Sequence, residues 1–362
     1  MNGIERLWYD DGVAARLART LLAPVSWVYA GAVATRGALY DHALLRVREP
    51  VIPALSLGNL SVGGTGKTPV AAWAARALRA RGAHPAIVLR GYGEDEPLVH
   101  ARLNPEVPVI ADRDRVRGVE AAAATGADCV VLDDAFQHRR IARHASWVLV
   151  AAEQWRAGAR LLPAGPLREP IAALARASVI VVTRKTASRA RAEEIAAVLA
   201  ARLPGGASAI VHLAPVALVN ALSGVERPLG TLGGQRLVAV AAIGSPGPFF
   251  AQLRALGADL REVPFRDHHA FDAADMARLR RLAEGRDGVV CTLKDAVKLA
   301  PLWRGADAPL WYVSQAAAVE RGRAFLDASL DVILTARAQP LQTAGPAGPS
   351  SLPNGHRSSS AD

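Results

Sequence analysis

The sequence predicts an α/β protein: a mostly parallel sheet domain followed by a second, smaller α/β domain. Three observations carry that prediction. From residue 53 onward, short apolar runs alternate with alanine-rich stretches of helical length, the pattern of buried parallel strands covered by helices on both faces. A glycine-rich stretch, Ser61 to Thr68, joins the first apolar run to the first alanine-rich one. After a Pro- and Gly-rich interval over 203–236, the alternation starts again.

In chain order, the first region is the least like the rest. Thr20 to Thr35 carries no charge and is flanked by Arg16, Arg19 and Arg36. As a helix it would span about 24 Å, short of the ~30 Å hydrocarbon core, and Pro24 is expected to kink it. Two readings fit. One is an interfacial helix, with Trp27 and Tyr29 at headgroup depth and the arginines on anionic lipid. The other is a helix packed on its own domain. No basic n-region with a small-residue cleavage site precedes it, so no secretory signal is expected.

Strands are expected at 53–57, 86–90, 107–110, 128–132, 146–151 and 178–183, with helices at 68–81, 114–124 and 187–202. The second alternation places strands at 237–243, 260–265, 288–292 and 309–314 and helices at 247–257 and 272–284. The resulting segments are 1–50, 51–213, 214–318, a C-terminal helix over 319–336 and a Pro/Gly/Ser-rich tail, 337–362, expected to be disordered. No internal repeat is present.

Composition excludes several classes. With 362 residues, 51% of them apolar, the chain is not a disordered protein. Two cysteines exclude a disulfide scaffold and a cysteine-based zinc site. No uncharged apolar run reaches 18 residues, which excludes a polytopic membrane protein. The net charge of +10 implies an anionic partner. Aromatics are only 5% and do not interleave with basic runs, so no nucleic-acid partner is expected. Only four of the 43 cationic residues are lysine: Lys67, Lys185, Lys294 and Lys298. Where arginine is the default cation, a lysine marks a specific requirement, and three of the four fall in motifs.

The first motif is Ser61-Val62-Gly63-Gly64-Thr65-Gly66-Lys67-Thr68. Between strand and helix it suits phosphate: glycines turn backbone N–H groups inward and the helix N-terminus adds its dipole. Lys67 would reach the β- and γ-phosphates, and the Thr68 hydroxyl would hold Mg²⁺. Ser61 stands where the usual pattern has glycine. The second motif, Cys129 to Asp134, is a buried strand ending in two carboxylates, Asp133 and Asp134, suited to binding or orienting Mg²⁺. His138 downstream suits a structural role better than a metal. The third, Arg90 to Pro97, sets Asp95 and Glu96 after a strand; a solvated acidic turn and a proton-accepting carboxylate are both open. Asp267-His268-His269 could orient a base across a cleft. Thr292 to Lys298 by itself reads as a helix start capped by Thr292 or Asp295.

Together these motifs resemble the tetraacyldisaccharide 4'-kinases, the lipid A kinases of Gram-negative bacteria. The likeness runs through Gly58 to Pro69, Arg90-Gly91-Tyr92-Gly93, Asp95-Glu96-Pro97, Asp133 to Arg140, Leu162 to Glu169, Asp267-His268 and Lys294 to Lys298, in one order. It implies ATP- and Mg²⁺-dependent phosphorylation of the 4'-hydroxyl of tetraacyldisaccharide 1-phosphate. It also implies a P-loop kinase-like fold of two α/β domains joined by a two-stranded hinge, with the N-terminal helix associating with the cytoplasmic face of the inner membrane. By position, Asp95 matches the catalytic aspartate and His268 the histidine paired with it, read as charged and holding Asp95 ionised. Ser61 to Thr68 matches the nucleotide loop and Arg115 an arginine facing the phosphates. Thr68, Asp133, Asp134, Glu96 and Glu169 match the metal side. Family members carry a hairpin-length stretch between Arg-Gly-Tyr-Gly and Asp-Glu-Pro, where this chain has only Glu94. Ala135, Leu293 and His144 are smaller departures. The alternative, a nucleotide-switch ATPase or GTPase, would use an extra lysine where Val62 stands and has no role for Asp267-His268.

Overall fold

A computed structural model describes residues 3–91, 95–305 and 307–338. The chain opens with three helices, α1 (Gly3–Tyr9), α2 (Val13–Leu21) and α3 (Ala23–Asp41). α2 and α3 meet at 50°. Pro24 lies in the first turn of α3, where its missing N–H is no loss, so the expected kink becomes a break between helices. Among the described residues no single helix is long and apolar enough to cross a membrane; the bent pair α2–α3 passes by length and composition together.

The first domain runs β1 (Ala54–Asn59), α4 (Lys67–Arg79), β2 (Pro85–Leu89), α5 (Asp95–Leu103), β3 (Val109–Ala111), α6 (Arg115–Ala124), β4 (Cys129–Leu132), β5 (Ala145–Ala151), β6 (Val179–Arg184), α7 (Arg189–Ala200) and β7 (Ser208–Asn220). The second, smaller domain adds β8 (Glu226–Pro228), β9 (Arg236–Ala241), α8 (Pro246–Ala255), β10 (Asp259–Pro264), α9 (Ala273–Ala283), β11 (Gly288–Thr292), α10 (Leu293–Leu299) and β12 (Leu310–Arg321). α11 (Arg323–Ala338) ends the described chain.

One sheet, ordered β10-β9-β11-β12-β7-β6-β5-β1-β4-β2-β3, passes through both domains, with β8 paired to β7. Among the described strands, the β7–β12 and β7–β8 pairs are antiparallel and the others parallel. Alternate residues of the buried strands feed opposite faces. Leu55, Leu57, Trp147 and Leu149 pack with Val70 and Leu78 of α4 and with Leu326, Leu330 and Ile333 of α11. On the other face Val88 and Val130 meet Val116 and Val119 of α6, and Val148 and Ile180 meet Ile195 of α7. Thus α11 returns to the first domain after the chain has left it.

The two connecting strands are the elements least visible in the sequence. β7 lies in the interval read as a break, and β12 continues past the expected end at 314. They pair along nearly their whole length, with a register shift between Ser314 and Gln315, where Pro215 faces Gln315. Proline is tolerated in a strand at such an irregularity. The segment boundaries at 213/214 and 318/319 fall inside these two strands. The predicted tail lies outside the described residues from 339 onward, while 337 and 338 complete α11.

Candidate active site

β1 is buried throughout and delivers the glycine-rich loop to the C-terminal edge of the sheet. Asn59 donates its Nδ2 to the Ser61 carbonyl (2.7 Å) and α4 begins at Lys67. Gly66 sits at φ +79°, which strains any L side chain, and a Cβ there would also press on Leu213 Cδ1 of β7. The loop is clamped from both sides. Thr183 Oγ1 at the end of β6 donates to the Thr65 carbonyl (2.8 Å), and the Val62 N–H donates to the Pro166 carbonyl (2.8 Å). Gly63 and Gly64 stay exposed, with Ser61, Val62 and Thr68 half-buried. A rigid loop with open glycines at a helix start is a ready phosphate cradle.

Beside it, β4 ends at Leu132 and the two aspartates follow. Asp133 accepts from the buried His100 Nε2 (2.8 Å). Asp134 lies 3.4 Å from Lys67 Nζ and 3.3 Å from Arg168 Nη1. Burial works against its ionisation, but Lys67 and Arg168 outweigh burial and hold its pKa below the usual value. Glu96 shifts the other way: burial and then Asp133 raise its pKa against the pull of Lys294 and Lys67. Among the described residues no group of three or more His, Cys, Asp or Glu is arranged to hold a metal. The donors present, a threonine hydroxyl and one or two carboxylates, suit Mg²⁺, which takes most of its shell from phosphate and water.

Asp95 opens α5 and is 2% exposed. Its partners come from the second domain: around its Oδ2 stand His268 Nδ1 at 3.2 Å, Lys294 Nζ at 3.6 Å and Lys298 Nζ at 3.9 Å. The loop carrying His268 is braced from behind. The His268 N–H donates to the Ala242 carbonyl (3.3 Å), and the Ala242 N–H donates to Asp295 Oδ1 (3.1 Å). Asp295 is fully buried, and burial raises its pKa despite Thr292 and Lys298. Burial lowers the pKa of Lys298 against the pull of Asp295 and Asp95. Asp134 (φ +49°) and His268 (φ +57°) are two of three non-glycine residues in the left-handed region among those described. Such strain persists where surroundings over-determine it, often at functional sites.

The remaining expected residues take the following places. Arg115 is 2% exposed and donates to the carbonyls of Asp112 (2.7 Å) and Asp133 (3.1 Å), so it braces the turn after β4. Glu169 is paired with Arg176, whose guanidinium covers the Phe136 ring; its neighbour Arg168 is the residue that reaches Asp134. Tyr29 turns inward and donates to the Arg168 carbonyl (2.9 Å), so of the two interfacial aromatics only Trp27 is exposed. Arg19 donates to the carbonyls of Leu7 and Asp10, and Arg36 to that of Gln137; Arg16 and Arg36 are exposed and Arg19 is half-buried. His138 is neutral, its pKa pushed down to about 4 by burial and then by Arg115 and Arg143. The short link between Gly91 and Asp95 lies outside the described residues. Sequence reading had no roles for Lys294, Lys298, Arg168 and His100. The scarcity of lysine was the signal for the first two; nothing local marked the others.

A strand-to-helix phosphate cradle beside an acidic strand end, faced by a carboxylate held from across a cleft, places the molecule among the P-loop phosphotransferases. A family model described as tetraacyldisaccharide-1-P 4'-kinase matches residues 18–334. The tetraacyldisaccharide 4'-kinase of Anaeromyxobacter sp. (strain Fw109-5) is 37% identical over 92% of this chain and 97% of its own. That of Halorhodospira halophila (strain DSM 244 / SL1) is 39% identical over 84% and 90%. The crystal structure of LpxK from Aquifex aeolicus in complex with ATP superposes with a TM-score of 0.70 at 26% identity, covering 87% of this chain and 99% of that one. The chain belongs to the tetraacyldisaccharide 4'-kinase family.

Proposed function

We propose that the protein transfers the γ-phosphoryl group of ATP to the 4'-hydroxyl of tetraacyldisaccharide 1-phosphate, giving the 1,4'-bisphosphate of bacterial lipid A synthesis. The observation that carries the site assignment is Asp95, a buried carboxylate with a histidine and two lysines converging on it. As the acceptor oxygen bonds to the γ-phosphorus, its proton passes to Asp95. The bond from the γ-phosphorus to the β–γ bridging oxygen breaks, and its electron pair stays on ADP. Lys67 and Arg168 balance charge on the phosphate oxygens, and the loop Ser61 to Thr68 orients them. Thr68, Asp133 and Asp134 would hold Mg²⁺, which would neutralise charge on the β- and γ-phosphates; Glu96 stands next to them as a further acid.

The proposal includes its location, the cytoplasmic face of the inner membrane. Supporting this are Val13, Leu17 and Leu21, one turn apart on α2, and Trp27 and Val28 on α3, all strongly exposed and close to the exposed Arg16. The test is transfer of labelled γ-phosphate from Mg-ATP to tetraacyldisaccharide 1-phosphate in detergent micelles, beside a lipid-free control. Lipid-dependent labelling of the sugar is expected. ATP hydrolysis indifferent to lipid, with no labelled lipid, would replace the kinase with a switch ATPase.

A further inference from the structure

We propose that Lys294 is a positioning residue that fixes His268 as the neutral tautomer with its proton on Nδ1, so that the imidazole donates to Asp95. Lys294 Nζ lies 3.0 Å from His268 Nε2. An ammonium group has only donors, so a contact at that distance requires Nε2 to offer its lone pair. The ring's single N–H then sits on Nδ1, which faces Asp95 Oδ1 at 3.3 Å and Oδ2 at 3.2 Å. An imidazolium would instead set N–H against N–H, with like charges in contact.

The remaining charged groups around the ring agree with this arrangement. Asp267 Oδ1 lies 4.0 Å from Nε2 and 3.5 Å from Lys294 Nζ, so it steadies the ammonium beside the ring. Lys298 Nζ stands on the far partner, 3.9 Å from Asp95 Oδ2, and donates to the His269 carbonyl (2.8 Å). The left-handed backbone at His268 and the Asp295–Ala242 brace set the ring between Lys294 and Asp95. Positive charge opposite Asp95 is therefore carried by lysines, and the histidine is a neutral donor. This replaces the charged His268 inferred from the family likeness. The residue type also fits: a compact ammonium on a flexible stem reaches the single ring nitrogen, which an arginine fork would approach over a wider front.

The inference rests on Asp95 as the proton acceptor, and the two readings fail separately. Nitrogen-15 NMR of histidine-labelled full-length protein near neutral pH reads the tautomer directly, with His268→Gln used to assign the signal. The expected spectrum has a protonated Nδ1 and an unprotonated Nε2 at His268. Lys294→Met is expected to lose that signature and to lower kcat by about ten-fold with KM for ATP unchanged, and Lys294→Arg, which keeps a donor, to restore the tautomer at least in part. An imidazolium or an Nε2–H tautomer in the parent protein overturns the proposal without any variant. So does a Lys294→Met protein whose spectrum and kcat match the parent. Full activity in Asp95→Asn would instead overturn the role of Asp95 and leave the tautomer result standing.

Discussion

The two acidic centres of the site are built in different ways. Asp133 and Asp134 draw His100, Lys67 and Arg168 from the first domain alone. Asp95 belongs to the same domain, yet its partners, His268 and the cations Lys294 and Lys298, come from the second. The phosphate side is thus preassembled, and the acceptor side exists only while the domains are together. Their relative placement depends on the shared strands β7 and β12 and on α5, whose Arg102 donates to the Ala221 carbonyl (3.5 Å).

The largest test of that contrast is Lys67→Ala. It strikes the preassembled side and is expected to abolish phosphoryl transfer in the labelled-lipid assay; retained transfer would remove Lys67 from the chemistry. Asp95→Asn strikes the assembled side. There kcat should fall about 10²–10⁴-fold while calorimetric ATP affinity stays level, because the group acts in the transition state. An equal loss of nucleotide binding would merge the two centres by making Asp95 a metal ligand.

Smaller effects sharpen the comparison. Tyr29→Phe removes a hydroxyl bond to the Arg168 carbonyl, worth about 1 kcal/mol, and should raise KM for ATP a few-fold with kcat unchanged. A change confined to the lipid KM would instead tie α3 to the acceptor side. Stability should also report on the first domain through His138. Its folded pKa, about 4, lies below the ordinary value near 6.5, so the unfolded chain binds the extra proton. The stability it confers is whole above the ordinary value and declines as pH falls toward about 4. Urea midpoints should show this slope, and His138→Gln should flatten it; an unchanged slope would assign the effect to other groups.

Much of the first domain was legible because its signals are local. Ser61 to Thr68 announces itself by composition and by its place between an apolar run and a helix. β4 announces itself by an apolar run ending in Asp133-Asp134. β7 did not: its burial alternates irregularly and Pro215 interrupts it. Nor did the second half of β12, whose Gln315-Ala316-Ala317-Ala318 carries little strand preference. α5 was ambiguous because acidic residues open helices and turns alike. Thr292 to Lys298 read by itself as a helix start, since nothing within α10 tells that a carboxylate from another domain will lie against it.

The sequence by itself therefore determined the alternating α/β architecture, the phosphate loop, the paired aspartates and the family. Each depends on hydrophobic period, turn residues or motif order within a few neighbouring positions. Only the tertiary structure decided that Lys294 and Lys298 join His268 around Asp95, that Arg168 reaches Asp134, and that Tyr29 faces inward. Those outcomes depend on the orientation of helices and domains. That orientation is set by the packing of whole surfaces and by two strands shared between domains, a sum over distant residues that no local pattern encodes.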